Sequence, residues 1–123
     1  MRKLRILLAE DDAAIATLLA DMLASMGHTV CAMTATEADT VAAAVYQRPD
    51  FMIVDAHLRE GSGISAMRTI SRKQVVPHLF ISGTTIQPGR RNAIVLSKPF
   101  RETELVTAID RALGLTAASL VPF

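Results

Sequence analysis

Phe51-Met52-Ile53-Val54-Asp55 joins four apolar residues to a terminal carboxylate. Such an unbroken apolar run is typical of a strand that is buried on both faces of a parallel sheet. A carboxylate that follows the run lies at the carboxyl end of the strand, which is the edge where open α/β sheets bind their ligands. Asp55 is therefore the first candidate functional residue.

Four further apolar runs read as strands of the same sheet, and the segments between them carry apolar residues at helical spacing. The strands are predicted at residues 4–9, 28–33, 79–81 and 93–97, and helices are marked by residues 15–26, 36–48, 64–70 and 105–112. This alternation predicts an α/β fold: a doubly wound, five-stranded parallel sheet with helices on both faces.

Two segments depart from that pattern. Only residues 83–92, which include Pro88-Gly89, separate Ser82 from the fifth strand. A crossover helix with its two loops usually needs more chain, so we expect the fourth helix to be shortened or absent. Residues 116–123 are apolar but lack periodicity, and we expect them to form a tail that frays, with docking or dimerisation as alternatives, on a single domain spanning residues 1–123.

Composition excludes several classes of protein. The chain has 13 basic and 12 acidic residues, a net charge of +1, which argues against a nucleic-acid-binding body. No apolar run approaches the ~20 residues of a membrane span. The apolar run after Met1-Arg2-Lys3 stops at Glu10, too early for a signal peptide. We therefore expect a cytoplasmic protein that contacts neither membrane nor nucleic acid directly.

Acidic residues also follow the first strand, at Glu10-Asp11-Asp12. If Glu10 and Asp11 lie beside Asp55, the like charges raise one another's pKa, and a cation is needed to neutralise them. Oxygen-only ligands favour Mg²⁺. Taken alone, the acidic triplet is equally compatible with a capped helix start.

Polar residues at the other strand ends fit phosphoryl transfer, which depends mainly on positioning and charge neutralisation. A metal-bound Asp55 stays ionised and can attack phosphorus. Lys98 can contact one phosphoryl oxygen and Ser82 another, helped by the N–H of Gly83. Backbone groups of residues 56 and 57 can donate or ligate metal, and a cis Lys98-Pro99 bond would direct the lysine across the edge.

This ordered set of residues resembles the receiver domain of bacterial two-component response regulators, over essentially the whole chain. The motifs that carry the resemblance are Ile6-Leu7-Leu8-Ala9-Glu10-Asp11-Asp12, Ile53-Val54-Asp55 with Gly63 beyond it, Phe80-Ile81-Ser82-Gly83 and Ser97-Lys98-Pro99-Phe100. The resemblance implies a flavodoxin-like fold with strand order 2-1-3-4-5.

The resemblance also implies a role for each site residue. Asp55 is the phosphoacceptor for a histidine on a sensor kinase or a phosphotransfer protein. Mg²⁺ is held by Asp11 directly, by Glu10 through water, by Asp55 and by the backbone carbonyl of His57. Lys98 contacts the phosphoryl group, and Ser82 is the switch hydroxyl. His57 and Thr84 occupy positions that tune dephosphorylation in this family.

Two features depart from ordinary receivers. Val95 stands where an aromatic residue usually precedes the lysine by three positions, and the fourth helix is expected to be reduced. Together with the Phe80–Gly83 motif, these departures resemble the atypical FATGUY receivers that accompany HWE-type histidine kinases. We hypothesise that phosphorylation orders residues 83–92 instead of repositioning a helix.

The expected function is a phosphorylation-controlled switch, not an enzyme, that acts through a downstream protein partner as a monomer or weak dimer. Three alternatives stay open at this stage. The chain could serve as a phosphate sink or relay intermediate, or as a pseudo-receiver that binds partners without phosphorylation. It could also be a Mg²⁺-dependent aspartyl phosphatase, although His57 stands where such enzymes carry a second acid.

Overall fold

A five-stranded parallel sheet forms the centre of the molecule. The structure, a computed structural model, describes residues 2–84 and 93–120. The strands of the sheet are β1 (Arg5–Ala9), β2 (Thr29–Thr34), β3 (Phe51–Asp55), β6 (His78–Ser82) and β7 (Val95–Ser97), and they lie in the order β2-β1-β3-β6-β7. Counting these five in chain order gives 2-1-3-4-5, so the flavodoxin-like order is confirmed.

Helices cover both faces of the sheet. The helices are α1 (Ala13–Ser25), α2 (Glu37–Gln47), α3 (Gly63–Ser71) and α4 (Glu102–Leu120). Because side chains alternate along a strand, β1, β2, β3 and β6 each contribute residues to two cores. One core packs β-strand residues against α1 and α4, and the other packs them against α2 and α3. None of the helices in the described part of the chain has the length and apolarity of a membrane span.

The helix starts and stops follow local chemistry. The Asp12 carboxylate caps α1 by accepting from the N–H groups of Ala14 and Ile15. Gly27 follows the end of that helix with a φ of +92°, a conformation that glycine adopts without steric cost. The Thr36 hydroxyl caps α2 by accepting from the N–H of Asp39.

Three regions differ from expectation or lie beyond it. The predicted tail at residues 116–123 begins inside α4, which continues to Leu120 through a segment rich in the helix formers Ala and Leu; the fraying of the tail stays a prediction. The loop after Asp55 contains a two-stranded hairpin, β4 (His57–Leu58) with β5 (Gly61–Ser62), which the sequence did not predict. The sequence predicted a shortened or absent helix between β6 and β7, in residues 83–92. Residues 85–92 lie outside the described residues, and α4 is the helix that follows β7.

Ile53 lies at the centre of the sheet and is fully buried. We expect Ile53→Ala to lower the free energy of unfolding by about 2–5 kcal/mol, because it leaves a cavity that the paired strands cannot close. Urea denaturation would measure this loss. Tyr46→Ala is the matched control, since Tyr46 is 87% exposed, and we expect a change within about 0.5 kcal/mol. Equal losses in the two variants would contradict the described core.

Candidate functional site

The carboxyl ends of β1, β3 and β7 bring Glu10, Asp55 and Lys98 together. The Lys98 ammonium lies 2.7 Å from Glu10 Oε1 and 2.7 Å from Asp55 Oδ2. Glu10 and Asp55 are both buried. The Lys98-Pro99 peptide bond is cis. One lysine thus bridges two buried carboxylates from neighbouring strands.

A third acid completes the cluster. Carboxylate oxygens of Glu10, Asp11 and Asp55 all lie within 4.8 Å of one another, and Asp11 is half-buried at the mouth of the site. The adjoining Asp12 is exposed and caps α1. Two members of the acidic triplet thus enter the cluster, and the third begins a helix.

The charges in the cluster perturb its pKa values. Burial, and next the hydrogen-bonded Asp55 carboxylate, raise the pKa of Glu10 to about 7, although Lys98 and the Asp12 N–H act in the opposite direction. Burial acts to lower the pKa of Lys98, but its hydrogen bonds to Asp55 and Glu10 outweigh that effect and raise it. The Lys98 ammonium therefore offsets only part of the rise that burial and Asp55 cause in the pKa of Glu10.

The loop after β3 holds the other Asp55 oxygen. The His57 N–H donates to Asp55 Oδ1 at 3.0 Å. The Ala56 N–H donates to Ile81 O at 2.9 Å, and its carbonyl accepts from Gly63 N–H at 3.0 Å. These bonds tie Ala56 to the sheet and to the start of α3, and its role as a further donor or metal ligand stays a prediction.

Ser82 and Thr84 flank the cluster at the end of β6. The buried Ser82 hydroxyl donates to Thr84 O at 2.8 Å and accepts from Thr84 N–H at 3.2 Å. The Lys98 N–H donates to Ser82 O at 2.8 Å, which places the serine beside the lysine. Thr84 Oγ1 also lies 3.2 Å from His57 Nε2, so the two positions singled out from the sequence are in contact.

Two predicted residues stand apart from the cluster. Val95 pairs with Phe80 between β7 and β6, and 38% of its surface is exposed. Gly83 is exposed, with open space where a side chain would begin. Sequence reasoning missed Glu37 and Arg59, which hydrogen-bond across loops at this edge, because their partners are distant in the sequence.

The chain is similar to known proteins over most of its length. Residues 6–110 match the family "Response regulator receiver domain". The transcriptional regulatory protein PdtaR of Mycobacterium tuberculosis is 29% identical over 116 residues, covering 89% of this chain and 57% of that protein. The chain thus spans about half the length of the curated relatives it matches.

Solved structures agree with that match. The response regulator PhyR from Brucella abortus superposes with a TM-score of 0.85 at 27% identity, over 96% of this chain and 51% of that chain. The receiver domain of Erythrobacter litoralis PhyR, determined by solution NMR, superposes with a TM-score of 0.80 at 27% identity, over 98% of this chain and 95% of that domain.

Gly63 allows α3 to begin directly against the phosphoacceptor candidate. A Cβ at this position would overlap the backbone carbonyl of Asp55. Because backbone atoms must shift to make room, we expect Gly63→Ala to lower the free energy of unfolding by about 1–3 kcal/mol. Gly114→Ala in α4 is the control, since nothing lies within 4 Å of its added Cβ and alanine favours helix. Denaturation curves in which Gly114→Ala loses more free energy of unfolding than Gly63→Ala would contradict this packing.

The raised pKa of Glu10 predicts a pH dependence of stability. Its ordinary value is 4.5 and its folded value is about 7, so between these the folded state binds more protons than the unfolded state. In the absence of divalent cations, the contribution of Glu10 is therefore present below about pH 4.5 and lost as the pH rises through 7. We expect Glu10→Gln to gain stability relative to wild type between pH 5 and pH 8, about the window set by the two values.

Urea denaturation at several pH values would measure that difference. Asp21→Asn removes an exposed carboxylate in the middle of α1 and controls for the change in net charge. A difference between Glu10→Gln and wild type that stays constant or shrinks with rising pH would contradict the prediction.

Proposed function

The chain belongs to the response regulator receiver family, and we propose that it is a phosphoacceptor switch in which Asp55 receives a phosphoryl group from a histidine of a sensor kinase or phosphotransfer protein. The observation that carries this proposal is the position of Lys98, 2.7 Å from both Asp55 and Glu10 at the ligand-binding edge of the sheet. A lysine there can neutralise an incoming phosphoryl oxygen while Asp55 acts as the nucleophile.

In the proposed reaction, one Asp55 carboxylate oxygen forms a bond to phosphorus as the phosphorus–nitrogen bond of the phosphohistidine breaks. The electron pair of that bond stays on the imidazole nitrogen, which takes up a proton. Asp55 is prepared for this role, since its two oxygens are held by Lys98 at 2.7 Å and by the His57 N–H at 3.0 Å. A nucleophile fixed in this way meets the positional demand of phosphoryl transfer.

We assign a Mg²⁺ site to Glu10, Asp11, Asp55 and the backbone carbonyl of His57. The fit is supported by the oxygen-only donor set and by the pKa of Glu10, which burial and next the neighbouring Asp55 raise. When bound, the cation neutralises charge on the acids and on the phosphoryl oxygens. Asp12 N–H holds Glu10 Oε2 at 3.1 Å, and so orients this carboxylate.

Ser82 supplies the proposed link from Asp55 to the surface. Its hydroxyl is satisfied by the carbonyl of Thr84, and a phosphoryl group on Asp55 would offer a stronger, charged acceptor. Moving the hydroxyl releases Thr84, which also contacts His57. Because Val95 provides no ring to rotate inward, we propose that the segment after Thr84 carries the signal to a downstream protein partner.

The kinase class is a finer proposal. The Phe80-Ile81-Ser82-Gly83 motif, Val95 and the similarity to PhyR response regulators support an atypical receiver of the FATGUY type that works with an HWE-type kinase. A regulatory switch of this kind catalyses only its own phosphorylation and dephosphorylation. The cytoplasmic location stays a prediction.

Phosphorylation by acetyl phosphate with Mg²⁺ tests the proposed function. We expect intact mass spectrometry to detect one added phosphoryl group on the wild-type chain and none on Asp55→Asn, which keeps the size of the side chain but removes the nucleophilic carboxylate. Asp21→Asn is the control for loss of one charge and should be labelled like wild type.

Wild type that stays unlabelled by acetyl phosphate and by its kinase would overturn the proposal in favour of a pseudo-receiver. Multiple turnovers on small phosphoesters would instead favour an aspartyl phosphatase.

A further inference from the structure

The start of α3 is capped by a residue from another helix. Ser62 is the N-cap, and its hydroxyl accepts from the N–H of Ser65 at 3.0 Å. In a capping box, a Glu or Gln at the position of Ser65 would reach back to the N–H of the N-cap residue. Ser65 is too short for that contact. Glu37 of α2 makes it instead, since its Oε1 accepts from Ser62 N–H at 2.9 Å.

The same carboxylate makes a second bond to α3. Glu37 Oε2 accepts from the Ser65 hydroxyl at 2.8 Å, so the two oxygens hold two points of the first turn. The bonds from Ser62 and then Ser65 lower the pKa of Glu37, which keeps the group ionised at neutral pH. Its place in the first turn of α2 also favours the negative charge.

The surrounding backbone is shaped to receive this carboxylate. Gly61 has a φ of +129°, and a Cβ there would overlap Glu37. A second contact lies beside the first: Arg59 N–H donates to Ala35 O at 3.0 Å, and Arg59 forms an isolated parallel bridge with Thr36. The first turn of α2 and the loop before it therefore contact the loop between β3 and α3 at two neighbouring points.

The loop between β3 and α3 follows Asp55 directly and contains His57. Gly63 N–H donates to Ala56 O at 3.0 Å, and Gly63 is packed against the backbone carbonyl of Asp55. A displacement of Ser62 and Gly63 would thus be transmitted directly to Ala56 and its neighbours. His57 N–H, which holds Asp55 Oδ1, is separated from Ser62 only by the short hairpin in which the two residues pair.

We propose that Glu37 is a positioning residue for the phosphoacceptor site: through Ser62 and Ser65 it ties α2 to the start of α3 and thereby holds Asp55 and the His57 carbonyl in place. This inference rests on the proposed function for its effect on phosphorylation. Groups that orient a metal-binding or reacting shell without belonging to it typically alter affinity or activity by about 10–100-fold when removed.

The first test compares phosphorylation rates with acetyl phosphate over a range of Mg²⁺ concentrations. We expect Glu37→Ala to raise the Mg²⁺ concentration for half-maximal rate, or to lower the maximal rate, by about tenfold. Glu37→Gln keeps an acceptor for Ser62 N–H, so its phosphorylation rate should lie between those of Glu37→Ala and wild type. Asp39→Ala, which removes another acid from the first turn of α2, is the matched control and should stay within about twofold of wild type.

A double variant separates positioning from simple helix capping. Glu37→Ala combined with Ser65→Glu supplies the capping-box glutamate from within α3 but leaves the two helices unlinked. We expect the double variant to regain the thermal stability lost in Glu37→Ala but not the lost phosphorylation rate. Recovery of both would overturn the positioning role and reduce Glu37 to a helix cap.

A readout without metal or phosphate keeps this inference separate from the proposed function. Amide hydrogen exchange followed by NMR should show that Glu37→Ala lowers the protection of His57 and Gly63 by about tenfold or more, whereas Asp39→Ala leaves both unchanged. Protection lost only at Ser62 and Ser65 would overturn the inference even if wild type is phosphorylated. Wild type that is never labelled would overturn the proposed function alone.

Discussion

The shared ammonium of Lys98 is the interaction on which the site depends. A buried carboxylate is costly unless it is paired, and here two of them face one lysine at the ends of adjacent strands. This arrangement joins the last strand of the sheet to its centre, across β6. Burial keeps the pKa of Glu10 raised despite this pairing. We propose that this buried acidic edge receives a cation and a phosphoryl group.

Helix caps and close contacts fix the loops at this edge. Asp12, Thr36 and Ser62 accept backbone N–H groups at the starts of α1, α2 and α3. Glycines allow the close approaches, with Gly63 against Asp55 and Gly61 against Glu37. Polar contacts between loops then set the position of Asp55 relative to these helices. The sheet determines where Asp55 lies, and the loops determine how its carboxylate is oriented.

Much of this organisation could be predicted from the sequence. Buried parallel strands are nearly continuous apolar runs, so Phe51–Asp55 was identifiable, and strand-end polar residues converge because parallel strands end at one edge. The same logic predicted Lys98 at this edge, whereas its ion pairs with Glu10 and Asp55 were not predicted.

The contacts of Glu37 and Arg59 could not be predicted, because they join loops that are distant in sequence and carry no periodic signal. The extension of α4 to Leu120 was missed for another reason: helix propensity there acts without an amphipathic pattern.

Mapping the phosphorylated residue tests the central claim most directly. The chain is phosphorylated by its kinase, and the acyl phosphate is reduced with borohydride, which converts a phosphorylated aspartate to homoserine. Tandem mass spectrometry then identifies the converted residue. Our account predicts homoserine at Asp55 and unchanged side chains at Asp11 and Asp12. Conversion at either of those residues, or phosphate recovered on His57 with Asp55 intact, would contradict it.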